Sequence, residues 1–394
     1  MKCDISTQTN VAFYTTERIE GEKGLENSTT IFTVTFNPTL ASRTAIVSDE
    51  TFTIFAMIVD EWMCLFLALI GTFNSFVCIV VFARQGFKDT VNITMTTIAF
   101  WEIMKLACAI GARLSGPIKL VDLALGTSWK NIFIANISYF HGICGNISYM
   151  MAAYVAVERS VCVCFPFCVK RYFTPKVTFI ICVSISVTVF FLVVPILLIF
   201  EIVWVCKEDY RSMVAEFQHS TFYHLHGDVF LSYYKVMAIL FPMTSLFTMV
   251  ISTCVITYQL QRSSRFRLQG LPARSLQDDP VKKVKDRSFP RLTSRDRQIV
   301  KQLLVLILAY ITNLVPRFVH FLASVLVPEY YVMRIYNNIF WCVIYCVYVV
   351  DFLNSSSMLF IYFCMSSNFR ATATRLFQSA CVTKNTLRSF SENA

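Results

Sequence analysis

Apolar runs long enough to cross a lipid bilayer recur along this chain, and they limit its possible folds more than any other feature. A helix of about 20 apolar residues spans the hydrocarbon core of a membrane. The sequence predicts seven such spans, at residues 59–82, 91–114, 132–165, 177–200, 229–258, 299–327 and 336–363. Their length favours helices over barrel strands, which alternate in segments of about ten residues. We therefore expect an all-α membrane protein with a seven-transmembrane helix bundle.

Composition agrees with a membrane protein and excludes a disulfide-rich secreted domain. The chain is 56% hydrophobic and only 15% charged, whereas a soluble domain is about a quarter charged. Thirteen of its 15 cysteines lie in or beside apolar runs, where a free cysteine acts as a small hydrophobic residue. Only Cys3 and Cys206 fall in polar stretches. These two are the cysteines that could face an oxidising space.

The distribution of charge predicts which ends of the spans face the cytoplasm. Residues 259–297 carry eleven bases against four acids, and the loops after the first and third spans are also basic. Cytoplasmic loops carry the excess of Lys and Arg, so these loops and the C-terminus are expected inside the cell. The N-terminus is then extracellular, and the sequon at Asn27 is expected to carry a glycan.

Three regions follow from this topology. Residues 1–58 form a polar tail with seven acids against four bases and no signal peptide, and we expect it to be largely disordered. Residues 59–365 form the bundle, and 366–394 a short amphipathic eighth helix followed by a cytoplasmic tail. Phe369 and Arg370 lie on opposite faces of that helix.

The triplet Glu158-Arg159-Ser160 ends the third apolar run, and Lys170-Arg171 follows it. A charged pair is tolerated where a membrane helix reaches water. The triplet resembles the Glu/Asp-Arg-Tyr box of rhodopsin-like (class A) G-protein-coupled receptors. The resemblance covers about residues 59–377. It is strongest to invertebrate orphan chemosensory and neuropeptide-type receptors, in the runs ERSVCVCFPFCVKRYFTPK and DFLNSSSMLFIYFCMSSNFR.

The resemblance implies a plasma-membrane receptor rather than an enzyme or a nucleic-acid-binding protein. It would convert the binding of an extracellular peptide or small acid-bearing ligand into activation of a heterotrimeric G protein, with arrestin and receptor kinases as further partners. The alternative is a seven-helix ligand-gated channel or a transporter-like protein. A transporter would show internal repeats or paired broken helices, and the sequence shows neither.

One set of oxygen-bearing side chains surrounds an acid expected inside the membrane. By resemblance, Glu102 has as neighbours Asn74, Ser148, Asn354 and Ser355. An intramembrane acid needs partners or must be protonated. In the family this cluster holds a sodium ion or a proton and stabilises the inactive state; the alternative is a hydrogen-bond network without an ion. Sodium is the only cofactor that the sequence suggests.

A second set would couple the receptor to its G protein. In the family the arginine at the position of Arg159 pairs at rest with an acid on the sixth helix, for which Asp296 is the candidate. Asp296 would otherwise cap that helix. Glu158 adjoins Arg159, and Tyr362 matches the tyrosine of the family's seventh-helix motif.

A third set is the ligand pocket implied by the resemblance, in the outer half of the bundle. It comprises His141, Lys235, Arg317, His320, Tyr348 and Asp351. His141 stands where amine receptors have an acid, which argues against a monoamine ligand. Lys235 and Arg317 need an anionic partner inside the membrane. Asp351 or a ligand carboxylate would supply it.

The chain also departs from the family at positions that usually take part in activation. Leu314 replaces the sixth-helix tryptophan, Met358 and Leu359 replace the seventh-helix Asn-Pro, and Val250 replaces the fifth-helix tyrosine. Ile134 replaces the cysteine that in the family usually pairs with the one at Cys206, so the choices that remain for Cys206 are Cys3 or no partner. In the tail, Cys381 matches a frequent palmitoylation position. A changed activation route is therefore expected on an unchanged fold.

Overall fold

The computed structural model describes residues 46–165, 172–207, 210–269, 294–331, 334–376 and 378. Within them, seven helices are long and apolar enough to cross a membrane, which confirms the predicted fold. They are α1 (Asp49–Gln85), α2 (Thr90–Val121), α3 (Leu123–Cys164), α4 (Pro175–Leu198), α5 (Thr221–Gln269), α6 (Ser294–Leu326) and α7 (Asn337–Met365). A shorter helix, α8, follows at 367–376.

The helices differ in how far the bundle encloses them. In α3, 56% of the most apolar window is buried, against 22% in α4. Exposed residues of α4 such as Phe179, Ile180 and Phe191 are large and apolar. An apolar exterior is what lipid requires, since lipid offers no hydrogen-bond partners. The exposed face of α4 is therefore suited to contact lipid.

The first helix begins about ten residues earlier than predicted. Residues 49–58, assigned above to a disordered tail, are helical. The Ser48 hydroxyl accepts a hydrogen bond from the Thr51 amide, and Asp49 and Glu50 occupy the first turn, where acids interact favourably with the helix dipole. The ring of Phe52 stacks on that of Tyr345 at 6.3 Å, so the added turns pack against α7.

A π-helical segment in α1 (Ala56–Met63) places two acids against basic residues. Asp60 forms an ion pair of 2.6 Å with Arg113, and Glu61 one of 2.6 Å with Lys119. Such segments are often associated with functional or specialised positions in helices. Here the segment joins the outer end of α1 to that of α2.

Two stretches between the predicted spans are regular structure. The first holds two helical segments, Ser115–Val121 of α2 and Leu123–Ile132 of α3, and the Asp122 side chain caps the second of them by accepting a bond from the Leu125 amide. After α4, β1 (Phe200–Lys207) and β2 (Ser212–His219) pair antiparallel in a hairpin. The run Ile202 to Val205 is rich in β-branched and aromatic residues, which favour strands. We had not predicted these strands.

Candidate functional site

A lysine that the sequence analysis passed over lies at the centre of the bundle. Lys105 of α2 is fully buried, and its ammonium lies 2.7 Å from Glu102 Oε2 and 3.0 Å from Asp351 Oδ1. The two carboxylates are also buried. A charge in the membrane interior must be paired, and Lys105 pairs with an acid on its own helix and with one on α7.

Hydrogen bonds extend this ion pair to α3 and α6. Asp351 Oδ1 accepts bonds from the Tyr149 hydroxyl at 3.0 Å and from Asn313 Nδ2 at 2.9 Å. Arg317 Nη1 in turn donates to the Tyr149 hydroxyl at 3.3 Å. We call Glu102, Lys105, Tyr149, Asn313, Arg317 and Asp351 the buried charge network. It connects four membrane helices through charged or polar side chains.

The predicted ion cluster is only partly brought together. The Ser355 hydroxyl donates to Glu102 Oε2 at 2.5 Å. Asn74, Ser148 and Asn354 are buried, but each has a side-chain polar atom without a hydrogen-bond partner among the described residues. The other carboxylate oxygens of the two acids, Glu102 Oε1 and Asp351 Oδ2, also have no hydrogen-bond partner among the described residues.

A bound sodium ion does not fit this arrangement. The ammonium of Lys105 already lies between the two carboxylates, and Arg317 brings a second positive charge to the same network. A sodium ion at the same oxygens would lie beside the ammonium, and the repulsion between two cations is strong in a low-dielectric interior. Water, which is neutral, would satisfy the remaining oxygens in such a polar site.

A sequence signal for this network existed and was missed. Lys105 stands three residues after Glu102 in a predicted span, a spacing that places two side chains on one face of a helix. Tyr149 and Asn313 had no such signal, because single polar residues occur throughout the spans. Their role depends on how α3, α6 and α7 pack.

The predicted ligand pocket is nearly closed around Arg317. A cavity of about 20 Å³ lies between α3, α4, α5 and α6. That volume has room for a water molecule, whereas ligand pockets usually measure about 300–1,000 Å³. Tyr139, Asn146, Tyr234, Arg317 and Phe321 are among its lining residues. This cavity is therefore too small for a ligand of the usual size.

Asp351 does not act as the partner of either pocket base. It pairs with Lys105, and among the described residues Arg317 forms no ion pair. Lys235 is exposed and lies 5.3 Å from the ring centroid of Tyr331. The alternative in which Asp351 neutralises Lys235 or Arg317 by direct contact is therefore wrong for this structure.

The other predicted pocket residues form two separate groups. The ring of His141 meets that of Tyr348 edge-on at 5.6 Å. The Arg113 guanidinium, which is paired with Asp60, lies 5.1 Å from the centroid of the Tyr348 ring. His320 Nδ1 lies 2.8 Å from the Tyr330 hydroxyl, between α6 and α7. The six residues thus do not line one continuous cavity.

At the other end of α3, Arg159 is held by neighbouring side chains. Its Nη2 lies 2.7 Å from Glu158 Oε1 and 3.3 Å from Thr90 Oγ1. The Thr90 hydroxyl itself donates to Glu158 at 2.6 Å. Arg159 is thereby fixed against the start of α2. Asp296 lies in α6, but its side chain is outside the described part of the chain.

Tyr362 lies beside a second cavity at the same end of the bundle. The centroid of its ring lies 5.0 Å from that of Phe82, which it meets edge-on, and 5.5 Å from that of Phe369 of α8, which is tilted against it. The cavity measures about 110 Å³ and is lined by Tyr362 with residues of α1, α2, α6 and α8. Phe369 is buried whereas Arg370 is exposed, so α8 packs its apolar face on the bundle.

Several predicted positions fall outside the described residues. They are Asn27, Cys3 and Cys381. Cys206 is disulfide-bonded, and no other cysteine of the described residues forms a disulfide, so its partner lies outside the described residues and Cys3 remains the predicted partner. The described residues contain no group of three or more His, Cys, Asp or Glu arranged to hold a metal ion.

Comparison with known proteins agrees with this geometry. Residues 73–378 match the family model for the seven-transmembrane receptors of the rhodopsin family. A search of curated proteins found no match. The match covers more than half of the chain and includes both Arg159 and the buried charge network. The chain therefore belongs to the rhodopsin family of seven-transmembrane receptors and is a multi-pass membrane protein.

Proposed function

We propose that this receptor converts the binding of an acid-bearing extracellular ligand, a peptide or a small carboxylate, into activation of a heterotrimeric G protein. The observation that carries the choice of ligand is Arg317. Its guanidinium lines the cavity between α3 and α6 and forms no ion pair among the described residues. Asp351, the nearest candidate within the bundle, is engaged by Lys105.

A carboxylate would give Arg317 the bidentate partner that its planar guanidinium favours. Arg317 now donates to Tyr149, which also donates to Asp351. A ligand that draws Arg317 away from Tyr149 would change the hydrogen bonds of the network between α3, α6 and α7. This supports a mechanism in which ligand binding shifts the population between two packings of the bundle.

The arrangement at Arg159 supports a G-protein partner. In the structure Arg159 is bound to Glu158 and Thr90, so activation has to release it before it can contact another protein. We place the N-terminus outside the cell with a glycan on Asn27, and the C-terminus inside, on the basis of the basic loops. Receptor kinases and arrestin would act on that inner tail.

The test is second-messenger production in cells, with pools of peptides and of small carboxylates. Arg317→Gln should raise the ligand concentration for half-maximal response about 30-fold or more, because losing one member of a buried charge pair costs about 2–5 kcal/mol. Lys235→Gln removes an exposed base of the same outer region and is the matched control, with a change of less than about threefold.

Two results would contradict the proposal. An agonist without an acidic group whose potency is unaffected by Arg317→Gln would contradict the ligand class. Ion currents that appear with ligand in cells lacking functional G proteins would favour the alternative of a ligand-gated channel.

A further inference from the structure

We propose that Lys105 is a tethered cation that takes the place of a dissolved ion in the core of this receptor, so that its stability and switching do not respond to sodium. Lys105 is thereby a positioning residue for Glu102 and Asp351. The inference concerns the fold of the core and does not depend on the ligand proposed above.

The geometry gives Lys105 the contacts that an ion would make. Its ammonium lies 2.7 Å from Glu102 Oε2 and 3.0 Å from Asp351 Oδ1. The two acids belong to different helices, α2 and α7, and Ser355 of α7 donates to the same Glu102 oxygen. One side chain therefore holds the two helices together, as a bridging ion would.

Both bases of the network lie beside Gly145 of α3. A Cβ added at Gly145 would lie 3.7 Å from Lys105 Cδ and 3.8 Å from Arg317 Nη1, which are ordinary van der Waals contacts. The lysine stem and the guanidinium thus both pass close to the backbone of α3. Alanine would fit at Gly145, so the lysine does not depend on a glycine there.

The arrangement of charge argues that this position holds one cation only. The ammonium of Lys105 contacts one oxygen of each acid, so the space between Glu102 and Asp351 already holds a cation. A sodium ion would compete with the ammonium for the same oxygens, and two cations side by side repel each other strongly in the membrane interior. Removing the lysine should vacate this position and create a place for sodium.

The experiment is thermal unfolding of the purified receptor in sodium chloride and in N-methylglucamine chloride at equal ionic strength. The wild-type unfolding temperature should be the same in both salts. In N-methylglucamine chloride, Lys105→Ala should unfold at a lower temperature than wild type. In sodium chloride its unfolding temperature should rise by roughly 3 °C, because an ion that binds only the folded state raises its stability.

A matched control removes a lysine from an ion pair outside the network. Lys119 lies 2.6 Å from Glu61, and Lys119→Ala should show no difference between the two salts. A second variant, Lys105→Ala with Glu102→Gln, removes one acid from the vacated position and should lose the sodium-specific recovery.

Two outcomes would overturn the proposal. The first is a sodium-specific rise in the wild-type unfolding temperature that Glu102→Gln abolishes, and it is measurable even if Lys105→Ala does not fold. The second is a folded Lys105→Ala receptor that responds equally to both salts. Neither readout involves ligand or G protein, so failure here leaves the proposed function standing.

Discussion

At the scale of single residues, the most consequential feature is that four charged side chains share one buried network in the bundle. Buried ion pairs contribute little net stability compared with apolar packing, but removing one partner leaves an unpaired charge and costs about 3–5 kcal/mol. Asp351 is the most heavily bonded member, since its Oδ1 accepts from Lys105, Tyr149 and Asn313. The network should therefore be sensitive to substitutions that preserve shape but remove charge.

Asp351→Asn should lower the unfolding temperature of the purified receptor by about 10 °C, from a loss of about 3 kcal/mol. Ser356→Ala is the control. Ser356 is a buried α7 neighbour whose hydroxyl donates to the carbonyl of Phe352 in its own helix, so its loss should change the temperature by less than about 3 °C. Equal effects of the two substitutions would contradict the assigned role of Asp351.

Thr90→Val should raise basal signalling about fivefold. The Thr90 hydroxyl bonds both Glu158 and Arg159, and losing a bond worth about 1 kcal/mol shifts a two-state equilibrium by that factor. Basal second-messenger level per receptor at the cell surface is the measurement. The control Thr96→Val, which removes a bond to the Asn92 carbonyl of its own helix, should leave the basal second-messenger level unchanged. A Thr90→Val receptor with the same basal level as wild type would indicate that other contacts restrain Arg159.

At the scale of elements, the hairpin of β1 and β2 depends on α3 for its position. A two-stranded hairpin is marginally stable alone. Here Asn131 Nδ2 donates to the Ala215 carbonyl at 2.8 Å, and the Ala215 amide donates to Ser128 Oγ at 3.1 Å. These two bonds fix the hairpin to the first turns of α3.

Asn131→Ala should make the hairpin amides exchange with solvent about five- to tenfold faster, since a lost bond of about 1 kcal/mol lowers the free energy of local opening. Hydrogen exchange followed by mass spectrometry measures it. Asn136→Ala, which removes a weaker bond of 3.4 Å to the Ile132 carbonyl in the same helix, should not accelerate those amides. Unchanged exchange in Asn131→Ala would mean that other contacts hold the hairpin.

The sequence predicted the existence of the membrane helices better than what lies between them. The seven spans follow from apolar length alone, and the structure contains them. The helical start at Asp49 depends on the cap at Ser48, and the hairpin depends on its contacts with α3 although the run Ile202 to Val205 has strand propensity. For the site, Glu102 and Ser355 were predicted together and do meet. The pairing of Asp351 with Lys105 depends on helix packing, which no local pattern encodes.

At the scale of the whole molecule, two polar groups lie at different depths along α3. The buried charge network includes Arg317, which lines the closed outer cavity, and Arg159 lies near the other end of α3 against α2. Leu314, in place of the family's tryptophan, is fully buried in α6 and directly follows Asn313 of the network. We expect the network to carry the structural change that the tryptophan provides in related receptors, because it links α3, α6 and α7 through hydrogen bonds that Arg317 can alter.

The most direct test of the central claim is guanine-nucleotide exchange on heterotrimeric G proteins by the purified receptor in lipid vesicles. Wild-type receptor should accelerate exchange on at least one G-protein class, and Arg159→Ala should reduce that acceleration at least tenfold while its unfolding temperature stays within a few degrees. The account would be contradicted if, for every G-protein class, the exchange rate with agonist-bound wild-type receptor equalled the rates with Arg159→Ala and with vesicles that contain no receptor.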